Sequence, residues 1–145
     1  MTEILNLREK FGAVTGLRHA DISDKSGEEF YHQFLNEAFK NCFEHGNILL
    51  VDLDGNKGYS PSFIDESFGN LVYDFHLENV QKYLKIKSND FSYWESSVNE
   101  VTFPLWEMRR KNQDQPKKTT AHEPWWRWKN SKFFDKSVWI KPIEK

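Results

Sequence analysis

A short apolar run at residues 47–53 constrains the fold of this chain more than any other segment. Its letters are NILLVDL, and the loop DGNKG follows it directly. Nearly continuous apolar runs of this length, bounded by turn residues, are typical of strands that helices cover on both faces. The run therefore predicts a buried strand in an α/β domain.

An amphipathic helix is predicted before this strand, over residues 27–45. One face of that helix carries apolar residues at helical spacing, namely Tyr31, Phe34, Leu35, Ala38 and Cys42. Gly46 follows, and glycine readily adopts the left-handed conformation that ends a helix. The place of Cys42 on this apolar face favours a core residue over a reactive nucleophile.

A second amphipathic helix is predicted after the strand, over residues 61–75. Its apolar face consists of Ile64, Phe68, Leu71, Val72 and Phe75. Ser60 stands at the N-cap position and Pro61 suits the first helical residue. Ser62 followed by Asp65 offers a second cap with the capping-box spacing, and the sequence leaves both caps open.

The remaining pattern predicts a small mixed sheet backed by helices, with an aromatic-rich C-terminal extension. Residues 3–17 indicate a hairpin or two short strands, residues 77–84 a helix, and residues 84–87 a strand. Residues 91–111 indicate a helix that Pro104 breaks or kinks. We expect an α/β domain over residues 1–111 and an extension over residues 112–145 that packs on it. The extension begins as a polar linker at 112–124 and ends in a strand from Ser137 to Lys141.

Composition predicts an aromatic core and a reducing environment. The hydrophobic fraction is only 38%, but 16% of the residues are aromatic, so Phe and Trp must supply much of the buried surface. A single cysteine cannot form an internal disulfide, which fits a reducing compartment. No apolar stretch approaches the roughly 20 residues of a membrane span, and the charged first residues do not resemble a signal peptide. We therefore expect a cytoplasmic protein.

Charge is distributed unevenly along the chain. Residues 109–145 contain 11 Lys and Arg against 4 Asp and Glu, whereas the first 108 residues contain 9 against 18. A basic tail thus follows an acidic body. This imbalance predicts either that the tail docks on the body or that the tail binds an anionic partner.

The middle of the chain resembles the bacterial STAS-like family of unknown function and, more distantly, the STAS anti-sigma factor antagonists. The resemblance is carried by ILLVDLDG at 48–55 and SPSFIDESFGNL at 60–71. In that family an apolar strand ends in a short loop, and a Ser-Phe-x-Asp-Glu segment opens the next helix. Residues 17–20 also resemble the segment before the family's first helix. The resemblance covers roughly residues 4–87.

This resemblance implies a non-catalytic regulatory module that binds a protein, because related domains pair with ATPases of the histidine-kinase type. The predicted partner-binding or switch residues are Ser60, Ser62, Phe63, Asp65 and Glu66. STAS antagonists carry a phosphorylated serine in Asp-Ser-Ser-Gly, whereas this chain has YSPSF at 59–63. A simpler interpretation is that one serine caps the helix and the acidic residues favour its dipole.

The tail segment PWWRWK at 124–129 is the most unusual local feature. Trp125, Trp126, Arg127 and Trp128 are of the types that dominate protein interfaces. They also suit stacking on single-stranded bases or contact with a membrane surface. The alternative function is therefore nucleic-acid binding, although the acidic body would repel a polyanion. The simplest interpretation is that these residues complete the aromatic core.

No pattern in the sequence indicates catalysis or a cofactor. The five histidines, at positions 19, 32, 45, 76 and 122, lack metal-ligand spacing. No nucleophile elbow, phosphate-binding loop or dinucleotide fingerprint is present. We predict no cofactor, no metal and no enzymatic activity.

Overall fold

A computed structural model describes residues 1–129 and 131–134 of the 145-residue chain. The elements in chain order are β1 Thr2–Asn6, α1 Leu7–Lys10, α2 Gly27–Phe30, α3 Asn36–His45, β2 Ile48–Asp52, α4 Pro61–Phe75, α5 Leu77–Tyr83, β3 Leu84–Lys87, α6 Tyr93–Ser97, α7 Phe103–Lys111, β4 Arg127–Lys129 and β5 Lys132–Phe134. The α/β class is confirmed. The strand predicted from Ser137 to Lys141 lies outside the described residues.

Two π-helical turns lengthen the helices. Tyr31–Leu35 joins α2 to α3, and Val98–Thr102 joins α6 to α7. Residues 27–45 therefore form one continuous helix, the first long helix, and residues 93–111 form the last long helix. The predicted helices at 27–45, 61–75 and 77–84 and the predicted strands at 47–53 and 84–87 are confirmed within one residue.

The three strands β1, β2 and β3 form a parallel sheet in that order. The prediction that helices cover both faces of β2 is wrong. Leu49 and Val51 are buried, whereas Ile48, Leu50 and Asp52 are half-exposed. Both crossovers run in the same direction along the sheet, and right-handed crossovers then place their helices on one side.

The hairpin predicted at residues 3–17 is also wrong. The Asn6 side chain accepts a hydrogen bond from Glu9 N at 2.9 Å, which caps α1 and turns the chain away from the strand. β1 pairs instead with β2, so that Leu5 lies opposite Val51. The strand's partner is more than 40 residues away, and local turn residues do not reveal it.

Pro104 does not break the last long helix, so the first of the two outcomes predicted for it, a break or a kink, is wrong. It is the second residue of α7 and follows the π-helical turn. Proline lacks the amide N–H and its ring crowds a carbonyl of the preceding turn. The wider hydrogen bonding of the π-helical turn, in which Phe103 N bonds Val98 O, accommodates proline at this junction.

Helix α4 is the centre of the core. Phe63, Phe68 and Phe75 of α4 are 0% exposed, and Trp106 of the last long helix is 2% exposed. Gly69 of α4 permits this packing, because a Cβ there would lie 2.2 Å from the Trp106 ring. The predicted aromatic core is therefore present, and α4 is enclosed on almost every side.

Candidate functional site

The first turn of α4 holds both predicted serines, and the structure separates their roles. The Ser60 Oγ accepts a hydrogen bond from Phe63 N at 3.1 Å and donates one to the Gly16 carbonyl at 3.1 Å. Ser60 is therefore the N-cap, with Pro61 at the first helical position. Ser62 is half-buried, and its Oγ lies 3.2 Å from the Ser60 Oγ. The Ser62 hydroxyl takes no part in the cap.

Phe63 is a core residue. Its ring is 0% exposed and packs against the rings of Phe30 and Tyr59, with centroids 5.9 and 5.8 Å away. A partner protein would reach this ring only if the core opened. Phe63 therefore positions the start of α4 rather than forming part of its surface.

Asp65 and Glu66 are held by one arginine from the N-terminal loop. Arg18 Nη1 lies 2.7 Å from Asp65 Oδ2 and 3.1 Å from Glu66 Oε1. Trp106 Nε1 also donates to Asp65 Oδ2 at 3.1 Å. Asp65 remains partly exposed, whereas Glu66 is 1% exposed. Of this predicted pair, only Asp65 is accessible to a partner.

A groove lies beside Arg18 and Asp65. It has a volume of about 420 Å³, and its other wall is formed by the last long helix through Leu105, Trp106 and Met108. Leu105 and Met108 are 57% and 60% exposed. The groove therefore combines an ion pair on one side with exposed apolar side chains on the other.

The exposed apolar residues continue along the last long helix. Val101, Leu105 and Met108 fall at i, i+4 and i+7, which places them on one face, and each is more than half exposed. We call these three residues the docking stripe. The helical spacing is visible in the sequence, but a sequence does not show whether such a face points into the core or into solvent.

The C-terminal segment crosses the first long helix and α4 as a strap, defined here as residues 116–127. The polar linker predicted at 112–124 is therefore wrong from Pro116 onward, because Pro116 is buried and Lys118 is only 1% exposed. Its anchors are hydrogen bonds and ion pairs to buried polar groups of the body. Polar composition alone suggests a solvated segment, and only the distant partners reveal otherwise.

The tail residues predicted as an interface are packed on the body. Trp125 is 3% exposed, and the Trp126 backbone exchanges two hydrogen bonds, of 2.8 and 2.9 Å, with the Asn36 side chain. Arg127 Nε donates to Asp74 Oδ1 at 2.9 Å. The Trp128 ring lies 4.9 Å from that of Phe43. The structure thus agrees with the interpretation that these four residues complete the domain.

Glu28 is the principal anchor of the strap, and its side chain is fully buried. Its carboxylate lies 2.5 Å from His122 Nε2 and 3.2 Å from His19 Nδ1, and it accepts 2.9 and 2.7 Å bonds from Thr119 N and Oγ1. Burial raises the pKa of Glu28, but the bonds from His122, His19 and Thr119 outweigh it and hold the pKa well below its usual range.

A second set of polar anchors lies on α4 itself. Asn70 Oδ1 accepts a 2.8 Å bond from Lys118 Nζ, and the Asp74 carboxylate accepts a 2.5 Å bond from the Tyr31 hydroxyl. Burial lowers the pKa of the Lys118 ammonium. Glu66, Asn70 and Asp74 recur at every fourth residue, so α4 has a buried polar face. The spacing of this face is present in the sequence, but polar residues at that spacing are equally typical of a solvent-exposed helical face.

The described residues contain no group of three or more His, Cys, Asp or Glu side chains that could hold a metal ion. Cys42 is 1% exposed, and burial followed by the contact with Glu3 raises the pKa of its thiol to about 12. The thiolate is the reactive form of cysteine, so this thiol is a poor nucleophile. Over the part of the chain that the structure describes, no helix has the length and apolar character that crossing a membrane requires.

One comparison with known proteins gives a match. A family model described as a STAS-like domain of unknown function (DUF4325) matches residues 26–94. The matched segment runs from the cap of α2 to the second residue of α6, and it includes β2, α4 and β3. This confirms the predicted resemblance to the STAS-like family. No curated protein and no solved structure gave a significant match to the chain.

Proposed function

We propose that this protein is a non-catalytic regulatory module that binds another protein, because a STAS-like family model matches residues 26–94. A STAS-like domain suggests regulation through protein–protein contact. The observation that carries the proposal is the docking stripe and its groove, which lie beside the first turn of α4. That turn belongs to the segment at 60–71 that resembles the STAS-like family.

The docking stripe has the properties of a recognition surface. Three large apolar side chains, each more than half exposed, lie along the last long helix, Val101 in its π-helical turn and Leu105 and Met108 in α7. Burying such a row against a partner removes apolar surface from water, and contiguous exposed apolar surface marks interaction sites. The ion pair of Arg18 with Asp65 at the groove supplies a polar contact that sets the orientation of the partner.

The partner that we propose is an ATPase of the histidine-kinase type, and the switch that we propose is phosphorylation of Ser62. Ser62 is preferred over Ser60, because the Ser60 hydroxyl is committed to the α4 cap. A phosphate on Ser62 would lie at the positive end of the α4 dipole. Asp65 and Glu66 follow three and four residues later, so the phosphate would compete with them for Arg18.

The alternative function, nucleic-acid binding through the tail, has less support. Base stacking needs exposed aromatic faces, but Trp125 is buried. Phosphate binding needs free cations, but Arg127 is paired with Asp74 and Lys118 is bonded to Asn70. The strap would have to leave the body before these groups became available.

The test is affinity capture of a partner with surface variants of the tagged chain from its native host. We expect an ATPase of the histidine-kinase type to co-purify with the wild type and to be lost with Leu105→Asp. Val14→Asp is the matched control, because Val14 is also an exposed apolar residue, at 62%, but lies in the N-terminal loop. Recovery of the same proteins with Leu105→Asp as with the wild type would contradict the proposed surface.

The switch is tested separately by mass spectrometry and by Ser62 variants. We expect phosphate on Ser62, normal capture with Ser62→Ala, and altered capture with Ser62→Glu. Unmodified Ser62 together with unchanged capture by Ser62→Glu would remove the switch. In that case the binding role is still judged by the Leu105→Asp result.

A further inference from the structure

Three imidazoles meet where the strap crosses the first long helix, and only one of them lacks a carboxylate partner. His122 and His19 both contact the Glu28 carboxylate. His32 stacks under His122 with ring centroids 3.9 Å apart, and neither of its ring nitrogens has a hydrogen-bond partner among residues 1–129 and 131–134. Within the part of the chain that the structure describes, His32 has no hydrogen-bond acceptor in contact.

The surroundings of His32 oppose a positive charge. The ring is flanked by His122 and Trp125 from the strap and by Tyr31 from its own helix, with ring centroids 3.9, 4.6 and 5.1 Å away, and both of its ring nitrogens are buried. Burial, then the charges of Lys118 and His122, lower the pKa of His32 far below its ordinary value, and the more distant Glu28 opposes them. Of these groups, Lys118, His122 and Trp125 belong to the strap.

We propose that His32 makes the strap a pH-sensitive latch, in which the imidazole accepts a proton only when residues 118–126 lift from the first long helix. Lifting removes the stacked His122 ring and the Lys118 ammonium and admits water to both ring nitrogens. The closed latch is therefore the form in which His32 is neutral.

The direction of the pH effect follows from the lowered pKa. Above its ordinary pKa of about 6.5, His32 is neutral in both states, and the closed strap has its full stability. As the pH falls below that value, protonation of His32 in the open state lowers the stability of the closed strap. For one group that is protonated only in the open state, the opening equilibrium constant rises about tenfold for each unit by which the pH falls below about 6.5, and it changes little above that value. Between pH 7.5 and 4.5 the expected increase is therefore about 100-fold.

Opening changes a specific part of the surface. A cleft of about 640 Å³ lies between the strap and the first long helix, and its lining includes His32, Asn36, His122 and Trp126. When residues 118–126 lift, Lys118 leaves Asn70, whereas Arg127 stays paired with Asp74. Acid would thus expose Asn70 on the polar face of α4 without unfolding its apolar face.

Hydrogen exchange of the strap amides tests the latch. Thr119 N bonds Glu28 and Trp126 N bonds Asn36, so both amides report closure. We expect their protection factors in the wild type to fall about 100-fold between pH 7.5 and 4.5. Amides of α4, such as that of Phe68, should keep their protection. An equal loss in α4 would mean global unfolding and would overturn the proposal.

Two non-titrating variants, His32→Phe and His32→Asn, should make strap protection independent of pH over this range. His45→Phe is the control, because His45 is an exposed histidine on the same helix and should leave the wild-type response unchanged. A response that persists in the His32 variants would assign the effect to Glu28 or another group and overturn the proposal.

If both variants fail to fold, NMR titration of the wild-type histidines decides the question. Protonation of His32 that coincides with loss of Thr119 and Trp126 protection supports the latch. Protonation of His32 near pH 6.5 while those amides stay protected overturns it.

Discussion

Helix α4 meets the rest of the molecule through two faces of opposite chemistry. Its apolar face, with Ile64, Phe68 and Val72, packs into the core, whereas its polar face, with Glu66, Asn70 and Asp74, is bonded to Arg18, Tyr31 and the strap. Both faces are almost completely buried. Apolar burial is non-directional and tolerates many partners, but each buried polar group needs a particular atom at a particular distance.

This difference predicts how much stability a substitution on each face removes. An apolar face loses stability in proportion to the volume or surface that a substitution changes. A buried polar face loses more when one partner is removed, because the remaining group stays in the interior without compensation. Two experiments compare the two faces, and a third compares the two serines at the start of α4.

The largest effect is expected on the polar face, from Asp74→Asn. The Asp74 carboxylate accepts hydrogen bonds from the Tyr31 hydroxyl and from Arg127 Nε, at 2.5 and 2.9 Å. Its side chain is only 2% exposed. Removing its charge leaves Arg127 without a counter-ion, so we expect a loss of about 3 kcal/mol in the free energy of unfolding. Urea denaturation measures the loss, and Asp24→Asn at an exposed carboxylate is the control. A loss no larger than that of the control would show that the strap is not held by this ion pair.

A smaller effect is expected on the apolar side, from Gly69→Ala. The added methyl group would lie 2.2 Å from the buried Trp106 ring, so α4 and the last long helix must move apart. Overpacking of this kind costs about 2 kcal/mol. Thermal and urea unfolding measure the cost.

The double variant Gly69→Ala with Trp106→Phe sharpens this result. The smaller ring makes room for the methyl group, so the double variant should lose less stability than the sum of the two single changes. Strict additivity would mean that Gly69 and Trp106 do not restrict each other.

The smallest effect separates the two serines at the start of α4. Ser60→Ala removes the cap bond to Phe63 N and should cost about 1 kcal/mol. Ser62→Ala removes no cap bond and should change stability by less than about 0.5 kcal/mol. Equal losses for the two variants would contradict the assignment of Ser60 as the cap and weaken the choice of Ser62 for the switch.

The sequence by itself determined the elements built on apolar periodicity. The first long helix at 27–45, α4 at 61–75 and the strands β2 and β3 were predicted almost to the residue. Helical and strand periods are local properties, so neighbouring residues are enough to show them.

Only the tertiary structure decided how the polar residues are used. Ser60, Phe63 and Glu66 were predicted as one site, yet the structure makes them a cap, a core ring and a buried ion-pair partner. No sequence pattern distinguishes Glu28 or Lys118, but both residues anchor the strap.

The physical reason is the distance along the chain between partners. Thr119 reaches Glu28 across 91 residues, and Lys118 reaches Asn70 across 48. A polar side chain is stable in the interior only when such a partner meets it, and folding alone brings the two together. The exposure of the docking stripe likewise depends on the tertiary structure. An apolar helical face has the same sequence pattern whether it packs against the core or lies in water.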